Sequence, residues 1–173
     1  MRVPKRLIER ARAPEDILVY CAIQKKANLR GLVCITREDL SKELGLGLRR
    51  LAGAINRLIS EGLIYISRRY YLIPDKEVLG RRYCYRIAGH EDYLKIPDGI
   101  VLLPYSAQEK GLLIYLWCIS GDDGATFTGE GDILSQFRRR PVSAMRQLGT
   151  RGLLMRDRFG IVLNKKRLLM LMK

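Results

Sequence analysis

The phrase "NRLISEGLI" at residues 56–64 returns ninety positions later as "RQLGTRGLL" at 146–154. At that offset Ile55 meets Met145, Leu58 meets Leu148, Gly62 meets Gly152, and Leu63-Ile64 meet Leu153-Leu154. The likeness continues upstream in the same order. "RVPKRLI" (2–8) resembles "KIPDGIV" (95–101), "ILVYCAI" (17–23) resembles "LLIYLWCI" (112–119), and "CITREDL" (34–40) resembles "TFTGEGDIL" (126–134). A chain that repeats its segments in the same order is a tandem duplication, here of a module of about eighty residues. Two copies are too few for a solenoid, so the expectation is two small domains side by side, 1–89 and 90–173.

Each copy reads as an alternation of helix and strand. Pro14 with Glu15 and Asp16 makes a favourable first turn for a helix over 14–28, with Ile17, Cys21 and Ala22 on its buried face. "LVCIT" (32–36) is short, apolar and β-branched, as a strand requires. Thr36 precedes Asp39 by three, a capping-box spacing that opens a helix over "REDLSKEL". "GLG" at 45–47 breaks it. Leu51, Ile55 and Leu58 then recur at helical spacing over roughly 48–61, and Gly62 stands where a left-handed residue closes a helix. "LIYIS" and "RRYCYRI" (81–87) are strands that pair. The second copy predicts a helix over 106–119, a strand over 125–128, helices over 131–137 and 141–151, and a hairpin at "RDRFG".

The composition is globular, 47% hydrophobic and 29% charged. Thirty-two Lys and Arg against 18 Asp and Glu give a formal net charge of +14, which points to a polyanionic partner. The basic residues come in pairs and triplets along the chain, so they suit a folded surface with several contact points. The only histidine is His90, and none of Cys21, Cys34, Cys84 and Cys118 forms a CxxC, so no metal site is expected. Apolar neighbours make the four cysteines candidates for buried free thiols in a reducing compartment. The N-terminus lacks an apolar h-region, and the longest apolar run, "LLIYLWCI", is too short to span a bilayer. The expectation is therefore a soluble, cytoplasmic protein without a membrane-spanning segment, whose polyanionic partner is DNA, RNA or an anionic surface. No phosphate-binding glycine loop, HExxH or nucleophile motif is present, and "GDDG" (121–124) has the composition of a turn. Neither an enzyme nor a cofactor is expected.

Residues 35–64, "ITREDLSKELGLGLRRLAGAINRLISEGLI", resemble the helix-turn-helix and wing entry of winged-helix DNA-binding proteins. The resemblance rests on Leu40, Leu44, Gly45, Leu51, Ile55, Leu58, Gly62, Leu63 and Ile64. "YLKIPDGIVLLPYSAQEKGLLIYLW" is similar to the opening of winged-helix modules in plasmid and phage replication initiators, and also in some transcriptional regulators. The second copy departs from the pattern, because "FRRRP" replaces the glycine-rich turn and is about three residues shorter. The implied fold is α+β and mainly helical: two tandem winged helix-turn-helix domains, each of three helices and a β-hairpin wing.

In such a fold the second helix of each pair lies in the major groove. The inward leucines leave Arg49, Arg50, Gly53, Asn56 and Arg57 on the outer face of copy one. The matching set in copy two is Arg139, Arg140, Ser143, Arg146 and Gln147, and Arg138 beside it is a further DNA-binding candidate. Arg can hold guanine and Asn adenine through paired hydrogen bonds. Arg68, Arg69, Arg81 and Arg82 of the long first wing, and Arg156 and Arg158 of the short second one, are phosphate candidates. Two recognition helices in successive major grooves would read two unlike half-sites of double-stranded DNA. The first wing's apolar centre and residues 164–173 are candidate surfaces for self-association or a protein partner; the C-terminal stretch can equally dock on the core. Replication initiation or transcription control on a plasmid, phage or other mobile element fits this reading. So do a partition or conjugation accessory role and, from another class, a protein-interaction, RNA-binding or single-strand-binding module.

Overall fold

The computed structural model describes the backbone of residues 1–73, 78–89 and 92–172, with the side chains of 68–73 and 78–82 left out. The fold is α+β, with eight α-helices and three small antiparallel sheets among the described residues. The first half runs β1 (Arg2–Pro4), α1 (Lys5–Arg10), α2 (Pro14–Lys26), β2 (Leu32–Ile35), α3 (Arg37–Leu44), α4 (Leu48–Ser60), β3 (Ile64–Ile73) and β4 (Val78–Ile87). The second half runs β5 (Tyr93–Lys95), a 3-10 helix (Asp98–Leu102), α5 (Ala107–Ile119), α6 (Glu130–Ser135), α7 (Val142–Thr150), β6 (Leu154–Asp157), β7 (Gly160–Leu163) and α8 (Lys165–Leu171).

Local chemistry places the helix starts. Thr36 Oγ1 accepts from Asp39 N at 3.0 Å and opens α3. Ser106 and Glu109 cap α5 reciprocally, with Ser106 N donating to Glu109 Oε2 at 2.9 Å. At α2 the N-cap is Ala13, which has no cap to offer; Asp16 Oδ2 accepts instead from Arg12 N and Ala13 N, both at 3.1 Å.

The two copies of the opening phrase fold alike to the level of single hydrogen bonds. Gly62 has φ +67° and Gly152 φ +68°. Leu63 N donates to Leu58 O at 2.9 Å, and Leu153 N to Leu148 O at 3.0 Å. Each is a helix stop made by a left-handed residue, open to glycine at no steric cost. In each copy the following residue's carbonyl accepts from beyond the last strand, Leu63 O from Ala88 N and Leu153 O from Asn164 N.

β2 pairs with β4, which pairs with β3, and Ile64 lies opposite Ile87. In the second half β6 pairs with β7 only, and the strand expected over 125–128 shrinks to a single bridge, Ala125 to Val162. Backbone bonds still join this stretch to β7, Leu163 N to Gly124 O at 2.9 Å and Thr126 N to Ile161 O at 3.0 Å, but Phe127, at φ +51°, leaves the extended conformation that a ladder needs.

The cysteines differ from the expectation. Cys34 and Cys84 are register partners across β2 and β4, with Cα atoms 4.1 Å apart, and form a disulfide; Cys34 is exposed. Direct cross-strand partners are close enough for this. Cys21 and Cys118 are free.

The halves are not two cores joined by a linker. A single buried cluster runs through both, centred on α2 and α5, from Leu18 and Ile23 to Leu112 and Leu116. Gly111 of α5 lies so close to Pro14 of α2 that a Cβ there would fall 2.0 Å from the Pro14 carbonyl oxygen. β1 and β5 pair antiparallel, with Arg2 opposite Lys95. Those two residues are equivalent positions in the duplicated sequence, so a local two-fold relates the strands. Neither this pairing nor α1 was expected from the sequence, because three-residue strands and a six-residue helix carry too little periodicity to read.

Candidate nucleic-acid interface

On α4 the buried residues are Leu51, Ala54, Ile55 and Leu58, and on α7 they are Ala144, Met145 and Leu148. Helical geometry therefore turns Arg49, Arg50 and Asn56 outward on α4, and Ser143, Arg146 and Gln147 outward on α7; all are exposed. Gly45, at φ +65°, ends α3, and Leu46 N donates to Ser41 O at 3.0 Å across that stop.

The turn between α6 and α7 is built differently. It is braced by the other half of the chain. Arg138 N donates to Arg12 O, and Gln136 Nε2 to Glu9 O, both at 2.9 Å. Phe137 is buried against Tyr115, ring centroids 5.0 Å apart. A turn lacking glycine thus adds to its own bond, Phe137 N to Leu134 O, two carbonyl acceptors from α1 and the loop that follows it.

That bracing brings two arginine clusters together. Arg49, Arg50, Gly53 and Arg57 of α4, with Arg138 and Arg139 of the α6–α7 turn, line one cleft of about 790 Å³. Arg12, Glu15 and Gln108 complete its lining. Arg12 carries no signal of its own in the sequence; its place in the cleft lining marks it as part of the site. Among the described residues, Arg12, Arg49, Arg50, Arg138 and Arg139 have no acidic partner within ion-pair distance. Like charges gathered without partners cost folding energy, so their concentration favours an anion.

Arg57 is different. Its Nε and Nη2 both donate to Asp16, which is 2% exposed, at 2.7–3.0 Å. Expected as a base-reading residue, it spends most of its fork on its own chain. The second half repeats the device. Arg151 Nε donates at 3.2 Å to Glu109, also 2% exposed and also the third residue of its helix.

The remaining candidates lie elsewhere. Arg140 is exposed but not part of the cleft lining. Arg146 and Arg156 border a separate groove between α7 and the β6–β7 hairpin, with Val142 and Met155. Arg156 is paired with Glu130. Arg158 lies over the Phe159 ring, 4.6 Å from its centroid, at the hairpin turn. The side chains of Arg68, Arg69, Arg81 and Arg82 lie outside the described residues, as does the centre of the first wing at 74–77. α8 docks through Leu168, fully buried, and through Met172 against Gly99, while Leu169, Met170 and Leu171 stay exposed.

No group of three or more metal-ligating side chains occurs among the described residues, and no helix there is long and apolar enough to cross a membrane. Compared with family models, curated proteins and solved structures, the chain matches none.

Proposed function

We propose that each half is a winged helix-turn-helix unit and that the protein binds double-stranded DNA. In this reading α4 and α7 are the recognition helices, with Arg49, Arg50 and Asn56 on one and Ser143, Arg146 and Gln147 on the other. The observation that carries it is the convergence of five unpartnered arginines from both halves on one cleft. A net charge of +14 supplies the wider attraction. The faces of α4 and α7 are not alike, so the preferred site consists of two unlike half-sites rather than a perfect inverted repeat.

The biological setting proposed is replication initiation or transcription control on a mobile element, with a partition or conjugation accessory role as the alternative. The test is selection of bound sequences from random duplex DNA, followed by locating the site at iterated origin repeats, a promoter or a transfer origin. Recovery of a reproducible duplex site, lost in R49A/R50A, supports the reading. Equal recovery of any sequence together with tighter binding to single-stranded DNA or duplex RNA overturns it.

A further inference from the structure

We infer that the cleft between α4 and the α6–α7 turn seats a single sugar-phosphate backbone, clamped at once by arginines of both halves. The inference rests on the nucleic-acid reading above and goes beyond it in saying what lies in the cleft. It also changes the geometry expected from the sequence, in which the two arginine clusters meet successive major grooves a helical turn apart.

Shape comes first. The site is concave, and a cleft of about 790 Å³ has the size of a small-ligand pocket, not of a duplex. A phosphate backbone is a ridge, so it fits between two walls. A groove of DNA is itself concave and takes a protruding element instead. Charge agrees with shape. Arg49 and Arg50 stand on one wall and Arg138 and Arg139 on the other, with Arg12 also lining the cleft. The one acid on the wall without a partner, Glu15, is 7% exposed, and the nearby Asp16 is neutralised by Arg57. The cleft is therefore strongly positive even after its acids are counted.

Rigidity is the third argument. The two walls belong to different halves, but they do not swing independently. Arg138 N to Arg12 O and Gln136 Nε2 to Glu9 O tie the turn to α1 and the loop that follows it. The close approach of Gly111 to Pro14 fixes α5 on α2. The arginines are thus held apart at a set width before any ligand arrives, which lowers the ordering cost of binding. Gly53, without a side chain, leaves the α4 wall open beside Arg57 Nη1, which a Cβ there would approach to 3.2 Å.

A duplex length series tests this. If both clusters grip one backbone, a duplex of about 10 bp, one helical turn, engages all of them. Wild-type protein then binds that duplex with nearly the salt dependence seen on about 24 bp. R138A/R139A and R49A/R50A each lower affinity for the short duplex roughly tenfold or more, and each reduces the salt slope by about 1.8. These exposed side chains leave the fold intact, which an unchanged melting temperature verifies. The seat is overturned if R138A/R139A matters on the long duplex but not on the short one, because the clusters then lie a turn apart while duplex binding stands. Absence of binding to any duplex or single strand removes both proposals. A single strand of about 24 nt bound as tightly as the duplex, and through the same arginines, supports the seat and overturns the duplex reading.

Discussion

Arg57 of α4 grips the Asp16 carboxylate of α2 through three N–H···O contacts of 2.9, 3.0 and 2.7 Å. The same carboxylate caps the start of α2 by accepting from Arg12 N and Ala13 N. One buried acid therefore ties α2 to α4 and also orders the loop that carries Arg12. Arg57→Ala leaves that acid without its cation. A cost of about 2–3 kcal/mol in urea unfolding is expected, below the value for a fully buried pair because the Arg57 side chain is 36% exposed. Arg49→Ala changes stability by less than about 0.5 kcal/mol. A shift of the unfolding midpoint in R49A as large as in R57A would contradict this division of labour.

The contact of Gly111 with Pro14 makes a sharper demand. An added methyl group would sit 2.0 Å from a backbone oxygen, which cannot swing away. Gly111→Ala is expected to lower stability by about 3 kcal/mol through displacement of α5 from α2. Gly149→Ala is the control: nothing lies within 4 Å of its added Cβ, and alanine in a helix is favoured by about 0.5–1 kcal/mol. Opposite signs for the two variants in thermal melts are the expected result.

Thiol counting checks the pairing of Cys34 with Cys84. Denatured but unreduced protein should titrate two free thiols, Cys21 and Cys118, and four after reduction. The bond closes a loop of 50 residues, so reduction should lower stability by roughly 2–4 kcal/mol. Four free thiols before reduction would restore the reading drawn from the sequence.

The two free thiols also set an alkaline limit. Burial pushes the Cys118 thiol up from 9.0 to about 12, with Lys165 opposing, and raises Cys21 as well. Between those values the folded chain holds a proton that the unfolded chain has released. The thiols' contribution to stability therefore stays level below pH 9 and falls as pH rises from 9 towards 12. Alkylation of both thiols in native protein at pH 8 should be slow and become fast in denaturant. Rapid native alkylation of Cys21 would show that α2 is not packed as described.

Much of the local structure was legible because it is written in short-range chemistry. Thr36 with Asp39, the leucine spacing of α4, and the glycine stops at 62 and 152 each involve residues within one or two turns of each other. The duplication was legible for the same reason: two copies of one local code repeat the same hydrogen bonds, as Leu63 and Leu153 do. The outward arginines of both helices follow from that periodicity.

What the sequence by itself determined is the order of the longer helices and strands, the repeat and the faces that carry charge. Only the tertiary structure decided where those faces point. The pairing of β1 with β5, the packing of α2 on α5 and the bond from Arg138 to Arg12 join residues about 90 or more positions apart. They depend on how one module's surface fits the other's, a matter of shape and backbone approach that no local pattern encodes. The cleft exists because of those contacts. So does the division between Arg57, committed to Asp16, and Arg49 and Arg50, left without acidic partners: all three looked equivalent in the sequence, and only a buried carboxylate from another helix separates them.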